Sequence, residues 1–201
     1  MLLAARCAVC DRPGASPCPA CHAGLRPPVP EPDPPGLDGL VALLRYDGPA
    51  RALVARVKYR NRRAAVPWLA AGLAARVAEV GAGVDVVTWP PTTAARRRRR
   101  GFDHAELVAR AVARHLGVPA RALLRREAGG AQTGQPAHQR RAAGPTFTAV
   151  RPPAPGTRVL VVDDVVTTGA TLRAAASALG GAGAVVVPAA LARTPSPRVG
   201  A

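Results

Sequence analysis

Aromatic residues make up only 3% of this 201-residue chain, and methionine occurs once. With so few large rings, the packed core must be built from small aliphatic side chains. The same scarcity removes the stacking platforms on which single-stranded nucleic acid is held. No apolar run reaches ~18 residues, so a membrane-spanning helix is not expected. The opening Met1-Leu2-Leu3-Ala4-Ala5-Arg6-Cys7 has neither a basic n-region nor a long apolar h-region. It is not read as a secretory signal, and the expected location is cytoplasmic. No internal repeat is visible.

Acidic residues are also few. Twelve Asp and Glu stand against 28 Lys and Arg, a formal net charge of +16. Such a surface attracts phosphates of every kind, with a hold on nucleic acid that falls steeply with salt. A dedicated base-reading surface has no support in the sequence. Ala, Arg, Gly, Pro, Val and Leu dominate, a bias of the kind GC-rich coding produces, so a single Ala or Arg carries less information than usual. The length suits one α/β domain with a small appendage.

Cysteine is absent beyond residue 21. All four lie at the front as Cys7-x2-Cys10-x7-Cys18-x2-Cys21. Two Cys-x-x-Cys knuckles can present four thiolates to one tetrahedral ion, and a cytoplasmic location argues against disulfides. Structural Zn2+ held by Cys7, Cys10, Cys18 and Cys21 is the leading reading; four incidental thiols or a redox pair is the alternative. His22 adjoins the last ligand and could substitute for a cysteine, but it is read instead as an exposed loop residue. A segment this short cannot bury a core, so metal binding would be its folding energy. The organisation expected is a zinc-binding segment over 1–26, a Pro-rich linker over 27–39, a main domain over 40–193 and a frayed tail over 194–201. The prolines from Pro27 to Pro35 make a stiff spacer between knuckle and domain.

In the main domain, Leu40 to Tyr46 reads as a strand and Asp47-Gly48-Pro49 opens a helix running to Lys58-Tyr59, with Leu53, Val54 and Val57 on one face. A second helix spans Val66 to Val80, and Val84 to Trp89 is the next strand, ended by Pro90-Pro91. The block Arg96 to Arg100 reads as a solvated loop, with Arg100 the best placed to meet phosphate. Asp103 and Glu106 form an N-cap with its capping-box partner for a helix to about His115. Ala120 to Leu124 is a short strand candidate. Glu127 to Pro145 lacks apolar periodicity and reads as a lid or a disordered loop. Thr146-Phe147-Thr148 restarts extended structure, and Ala184 to Leu191 closes a βαβ unit.

The most informative stretch is Val159-Leu160-Val161-Val162-Asp163-Asp164-Val165-Val166-Thr167-Thr168-Gly169-Ala170-Thr171. Its apolar residues read as a strand buried on both faces of a parallel sheet. The two carboxylates sit at its carboxyl end, where open α/β sheets place ligands. The Thr/Gly turn leads into a helical segment, Leu172 to Leu179, whose positive end points back at it. An anion fits the turn and a polyhydroxyl group fits the acids, a combination that a sugar phosphate offers. An ordinary strand followed by a capped helix would account for the apolar run but not for the acids.

This run closely resembles the thirteen-residue signature of type I phosphoribosyltransferases, which bind phosphoribosyl pyrophosphate (PRPP). The resemblance implies an open, mostly parallel sheet flanked by helices. It implies ribose hydroxyls on Asp163 and Asp164, and the 5′-phosphate on Val166, Thr167, Thr168, Gly169, Ala170 and Thr171. The order of the pieces is similar to the ComF/GntX family of competence-associated and DNA-utilisation proteins, which join a four-cysteine zinc segment to such a domain. The marks are the paired knuckles, Val57-Lys58-Tyr59, Arg100-Gly101-Phe102-Asp103-His104-Ala105-Glu106-Leu107, Gln132-Thr133-Gly134 with Arg140-Arg141, and the signature. Two departures stand out: the family usually has Asn-Gln where this chain has Asp103-His104, and Ala143 replaces an Asn that commonly follows the Arg pair.

The resemblance implies PRPP binding with Mg2+ and transfer of phosphoribosyl to a nitrogen nucleophile, Arg100 and Lys58 neutralising the leaving pyrophosphate while the 127–145 loop closes. Two other functions compete. One is an accessory in DNA uptake, working through DNA and competence-machinery partners; the other is a PRPP sensor without turnover. Acceptor choice would lie in a hood over residues 22 to 46.

Overall fold

The computed structural model describes residues 6–59, 63–100, 103–127 and 144–196, with the backbone alone at residues 59, 96, 99 and 100. Val159, Leu160, Val161 and Val162 are all fully buried. Strand residues alternate between faces, so such a run needs cover on both sides, and the fold supplies it. The run belongs to the strand Arg158–Val166, which pairs in parallel with both Val86–Thr88 and Val185–Arg193. Val41–Arg45 adds an outer parallel strand. In chain order these are β1 (Val41–Arg45), β2 (Val86–Thr88), β5 (Arg158–Val166) and β6 (Val185–Arg193), laid out as β1-β6-β5-β2. A separate antiparallel pair, β3 (Leu124–Arg126) and β4 (Phe147–Ala149), stands beside the sheet.

The α-helices among the described residues are α1 (Pro19–Ala23), α2 (Gly48–Tyr59), α3 (Val66–Glu79), α4 (Ala94–Arg100), α5 (His104–Leu116) and α6 (Ala170–Gly180). One core joins Leu160 and Val162 to α2, α3 and α5; the other joins Val159 and Val161 to α6, β3 and β4. This is an α/β fold with a parallel sheet flanked by helices. The α3 face Val66, Leu69, Ala70, Leu73, Ala74 and Val77 is buried at helical spacing. Leu53, Val54 and Val57 are buried on α2 as expected. No helix among the described residues is long and apolar enough to cross a membrane.

Several expectations change. The signature strand does not stop at Val162: it continues through Asp163 and Asp164 to Val166, because β6 is long enough to pair with Asp163, Val165 and Val166. The arginine block is helical, as α4, rather than a loop, since Ala and Arg are both strong helix formers. The strand expected at Ala120–Leu124 is an isolated parallel bridge, Val87 to Ala120, with β3 beginning only at Leu124. Asp103 does cap α5, its carboxylate accepting from Ala105 N at 3.1 Å, but Glu106 turns instead to Arg110 Nε at 2.9 Å. Residues 128–143, most of the expected lid, lie outside the described residues.

The knuckle is not held at a distance by the prolines. Ala8 enters the core shared with α2 and α3, Asp11 pairs with Arg56 at 3.8 Å, and the His22 ring meets Trp68 edge-on at 5.3 Å. The extended Pro27–Pro35 stretch lies along the domain. Arg193, at the end of β6 and 8% exposed at its side chain, holds Glu31 at 3.0 Å and Asp33 at 3.2 Å.

Candidate functional site

Beyond β5, the chain turns at Thr167 and Thr168 into α6. Gly169 makes the turn with φ 78°, and a Cβ there would stand 2.6 Å from Leu37 Cδ1. Both the backbone conformation and the space therefore require glycine. Leu37 and Pro34 come from the Pro-rich segment, so that segment forms one wall of the turn. Arg173 ties the two together, donating from Nη1 to Thr168 O at 2.7 Å and to Pro35 O at 3.3 Å. The eleven-residue α6 begins at Ala170 without a side-chain cap. Ala170 N–H donates to Thr168 Oγ1 at 3.4 Å, and the N–H groups that follow it in the first turn, with the Thr hydroxyls, can serve an anion. The cleft, about 50 Å³, is lined by Asp163 and by Val165 to Leu172.

The two acids have different neighbours. Asp163 faces the cleft with the α6 side of the sheet. Asp164 points to the opposite face, as adjacent strand residues must, and meets α2 and α5. There Lys58 Nζ stands 2.7 Å from Asp164 Oδ1, and His104 Nε2 stands 2.5 Å from Asp164 Oδ2. Burial raises the Asp164 carboxyl, but the His104 hydrogen bond and the Lys58 charge outweigh it and hold its pKa below the usual range. Asp163 goes the other way. Burial first, then the Asp164 charge, raises its pKa to about 7, although its Oδ1 accepts from Asp164 N at 2.8 Å. One acid is pinned as an anion, and the other is poised to carry a proton.

Of the expected phosphate ligands, Val166 to Thr171 gather at the cleft. Lys58 is found on Asp164, away from the turn. Arg100 ends α4, and its side chain lies outside the described residues. The motif reading missed His104 as a site residue. Its signal was the departure from the family's Asn-Gln. Arg173 and Leu37 were missed because nothing local marks them.

At the front of the chain, the ligand atoms of Cys7, Cys10, Cys18 and Cys21 all lie within 4.8 Å of one another. Cys10 Sγ and Cys18 Sγ are 3.7 Å apart, close to the ~3.8 Å edge of a tetrahedron with metal–sulfur bonds of about 2.3 Å. Backbone N–H groups of Val9 and Cys18 point at Cys7 Sγ, each at 3.4 Å. Burial raises the Cys7 thiol, but backbone hydrogen bonds from Cys10, Cys18 and Val9 bring its pKa down to about 6. Burial, then the neighbouring sulfurs, push Cys21 up to about 12. Four sulfurs this close cannot all ionise unaided, and a divalent cation removes the conflict. The donor set fits a closed metal site.

Comparison with known proteins bears on the same region. The family model of the phosphoribosyl transferase domain matches residues 103–199, just under half of the chain. No curated protein matches it. Among solved structures, the glutamine PRPP amidotransferase from B. subtilis, complexed with ADP and GMP, is 26% identical with a TM-score of 0.46; the match covers 68% of this chain and 30% of that one. This chain therefore spans under a third of that enzyme. A hypothetical protein from Neisseria gonorrhoeae with bound ppGpp is 16% identical, TM-score 0.46, over 71% of this chain and 74% of that one. Adenine phosphoribosyltransferase from Leishmania donovani is 16% identical, TM-score 0.44, over 70% and 56%. The stretch that matches the phosphoribosyl transferase domain thus holds α5, β5, the Gly169 turn and both aspartates, behind a four-cysteine cluster.

Proposed function

We propose that this protein binds PRPP in the cleft beside Asp163 and transfers its phosphoribosyl group to a nitrogen nucleophile. The observation that carries the reading is the meeting of one carboxylate with a glycine-built anion turn in a single cleft. The 5′-phosphate would sit on Thr167 to Thr171, taking N–H and hydroxyl donors, and a ribose hydroxyl would donate to Asp163. Asp164 would take a second hydroxyl.

In the transfer, the bond from C1 to the pyrophosphate oxygen breaks and its electron pair leaves with pyrophosphate. The nitrogen forms the new bond to C1 and sheds a proton to water. Negative charge grows on the leaving oxygens, so fixed positive groups accelerate the step by electrostatics and positioning. Lys58 and Arg100 are the cations assigned to that task. Mg2+ arriving with the diphosphate would supply further neutralisation.

The four cysteines would hold Zn2+ in a structural role. Together with the matched domain they support a protein of the ComF/GntX type. Titration calorimetry with PRPP and Mg2+ tests the binding, with Asp163→Asn as the control. Heat from wild type and none from the variant is expected; no heat from wild type overturns the reading. Pyrophosphate release with a panel of bases then separates transferase from sensor.

A second reading rests on α4, whose Arg97 and Arg98 are exposed. A DNA-uptake accessory would use this basic helix. Binding to DNA that survives high salt would favour it; binding lost with salt would reflect charge alone.

A further inference from the structure

The chain carries 27 arginines and a single lysine. That lysine is Lys58, and its Nζ stands 2.7 Å from Asp164 Oδ1, the two side chains 18% and 12% exposed. A composition so biased to arginine fills any position where positive charge suffices with arginine. A lone lysine in a half-buried polar cluster therefore marks a place where charge is not enough.

The two cations differ in what they do to a carboxylate. A guanidinium grips it as a planar fork, through two parallel hydrogen bonds. An ammonium is a compact point on a flexible four-carbon stem, able to leave one oxygen for another without breaking a two-point contact. Lys58 sits in the last turn of α2, whose residues end at Tyr59. His104, 8% exposed at its side chain, fills the remaining Asp164 oxygen at 2.5 Å. Both acceptor oxygens are thus occupied by the protein's own donors.

We propose that Lys58 is a displaceable catch on the sugar subsite, holding Asp164 until a ribose hydroxyl takes its place and then turning its ammonium to the diphosphate. This rests on the PRPP reading above. Donors and acceptors stay matched in both states: ammonium on carboxylate when empty, hydroxyl on carboxylate and ammonium on phosphate when loaded. Ribose 5-phosphate can open the catch but offers the ammonium only a neutral C1 hydroxyl, whereas PRPP offers an anionic diphosphate there.

Because Lys58 is the chain's only side-chain amine, acetylation by an amine-selective reagent, read by mass spectrometry against the α-amino group, reports on the catch alone. Saturating ribose 5-phosphate is expected to speed Lys58 acetylation on the order of tenfold, the scale of one charge-assisted hydrogen bond released. PRPP with Mg2+ is expected to return it to the slow rate. An unchanged rate with ribose 5-phosphate bound would overturn the catch. Lys58→Met gives a second measurement: it should bind ribose 5-phosphate more tightly than wild type and PRPP more weakly. Parallel weakening of both in a folded variant would make Lys58 an ordinary structural cation and also overturn it. If wild type binds neither ligand, the PRPP reading itself has failed, an outcome distinct from either of these.

Discussion

Leu37 Cδ1 lies 2.6 Å from where a Cβ on Gly169 would stand, so a residue of the Pro-rich segment sets the width of the anion turn. Gly169→Ala meets two penalties: a positive φ and a fully buried leucine that must move. A loss of about 1–2 kcal/mol in stability is expected, with a larger loss in PRPP affinity. Adding Leu37→Ala should relieve the contact but not the backbone strain, leaving phosphate binding impaired. Denaturant melts and calorimetry on the single and double variants check this.

Asp163 should limit stability while serving the site. Its folded pKa, raised to about 7, lies above the unfolded value of about 3.9. Between those values the native state binds more protons than the unfolded state, so this group's contribution falls as pH rises and is lost above about 7. Asp163→Asn is therefore expected to be more stable than wild type at pH 8, by about 1–2 kcal/mol given water in the cleft. The gap should narrow toward pH 5. Thermal melts at both pH values decide it: a variant weaker than wild type at pH 8 would contradict the assignment.

Metal in the cysteine cluster should be readable through Trp68, whose ring meets His22 at 5.3 Å. One zinc per chain is expected by elemental analysis. Stripping it with a strong chelator should shift Trp68 fluorescence while leaving most of the helical circular dichroism in place. Trp68→Phe should abolish the shift, and Cys10→Ala should reproduce the stripped spectrum.

Arg193 answers two carboxylates, Glu31 and Asp33, from a nearly buried position. Arg193→Met is expected to cost about 2–3 kcal/mol, somewhat below the loss from breaking a fully buried pair because the acids can rehydrate. Glu31→Gln should cost less. Urea titrations of both variants test the order.

How much of this was legible in the sequence depends on the range of the interaction. The both-faces burial of Val159 to Val162 and the α3 periodicity are local patterns, and both were readable. The opposed directions of Asp163 and Asp164 follow from strand alternation, but reading the acids as one unit concealed them. The contact of Lys58 with Asp164 joins residues over a hundred positions apart; the resemblance put both at one PRPP site, but no local pattern paired them. Five successive arginines suggested a solvated loop, yet their intrinsic preference is helical. The prolines announced stiffness without saying what the stiff segment would lean on.

The strap from Glu31 to Leu37 changes how the molecule can be dissected. Cutting within the Pro-rich stretch looks like the natural way to isolate the larger part of the chain. A fragment starting at residue 40 would lack Pro34 and Leu37 beside Gly169 and the partners of Arg193. Such a truncation would open one side of its own anion turn, and weak ligand binding by it would reflect the missing wall rather than the chemistry of the intact protein.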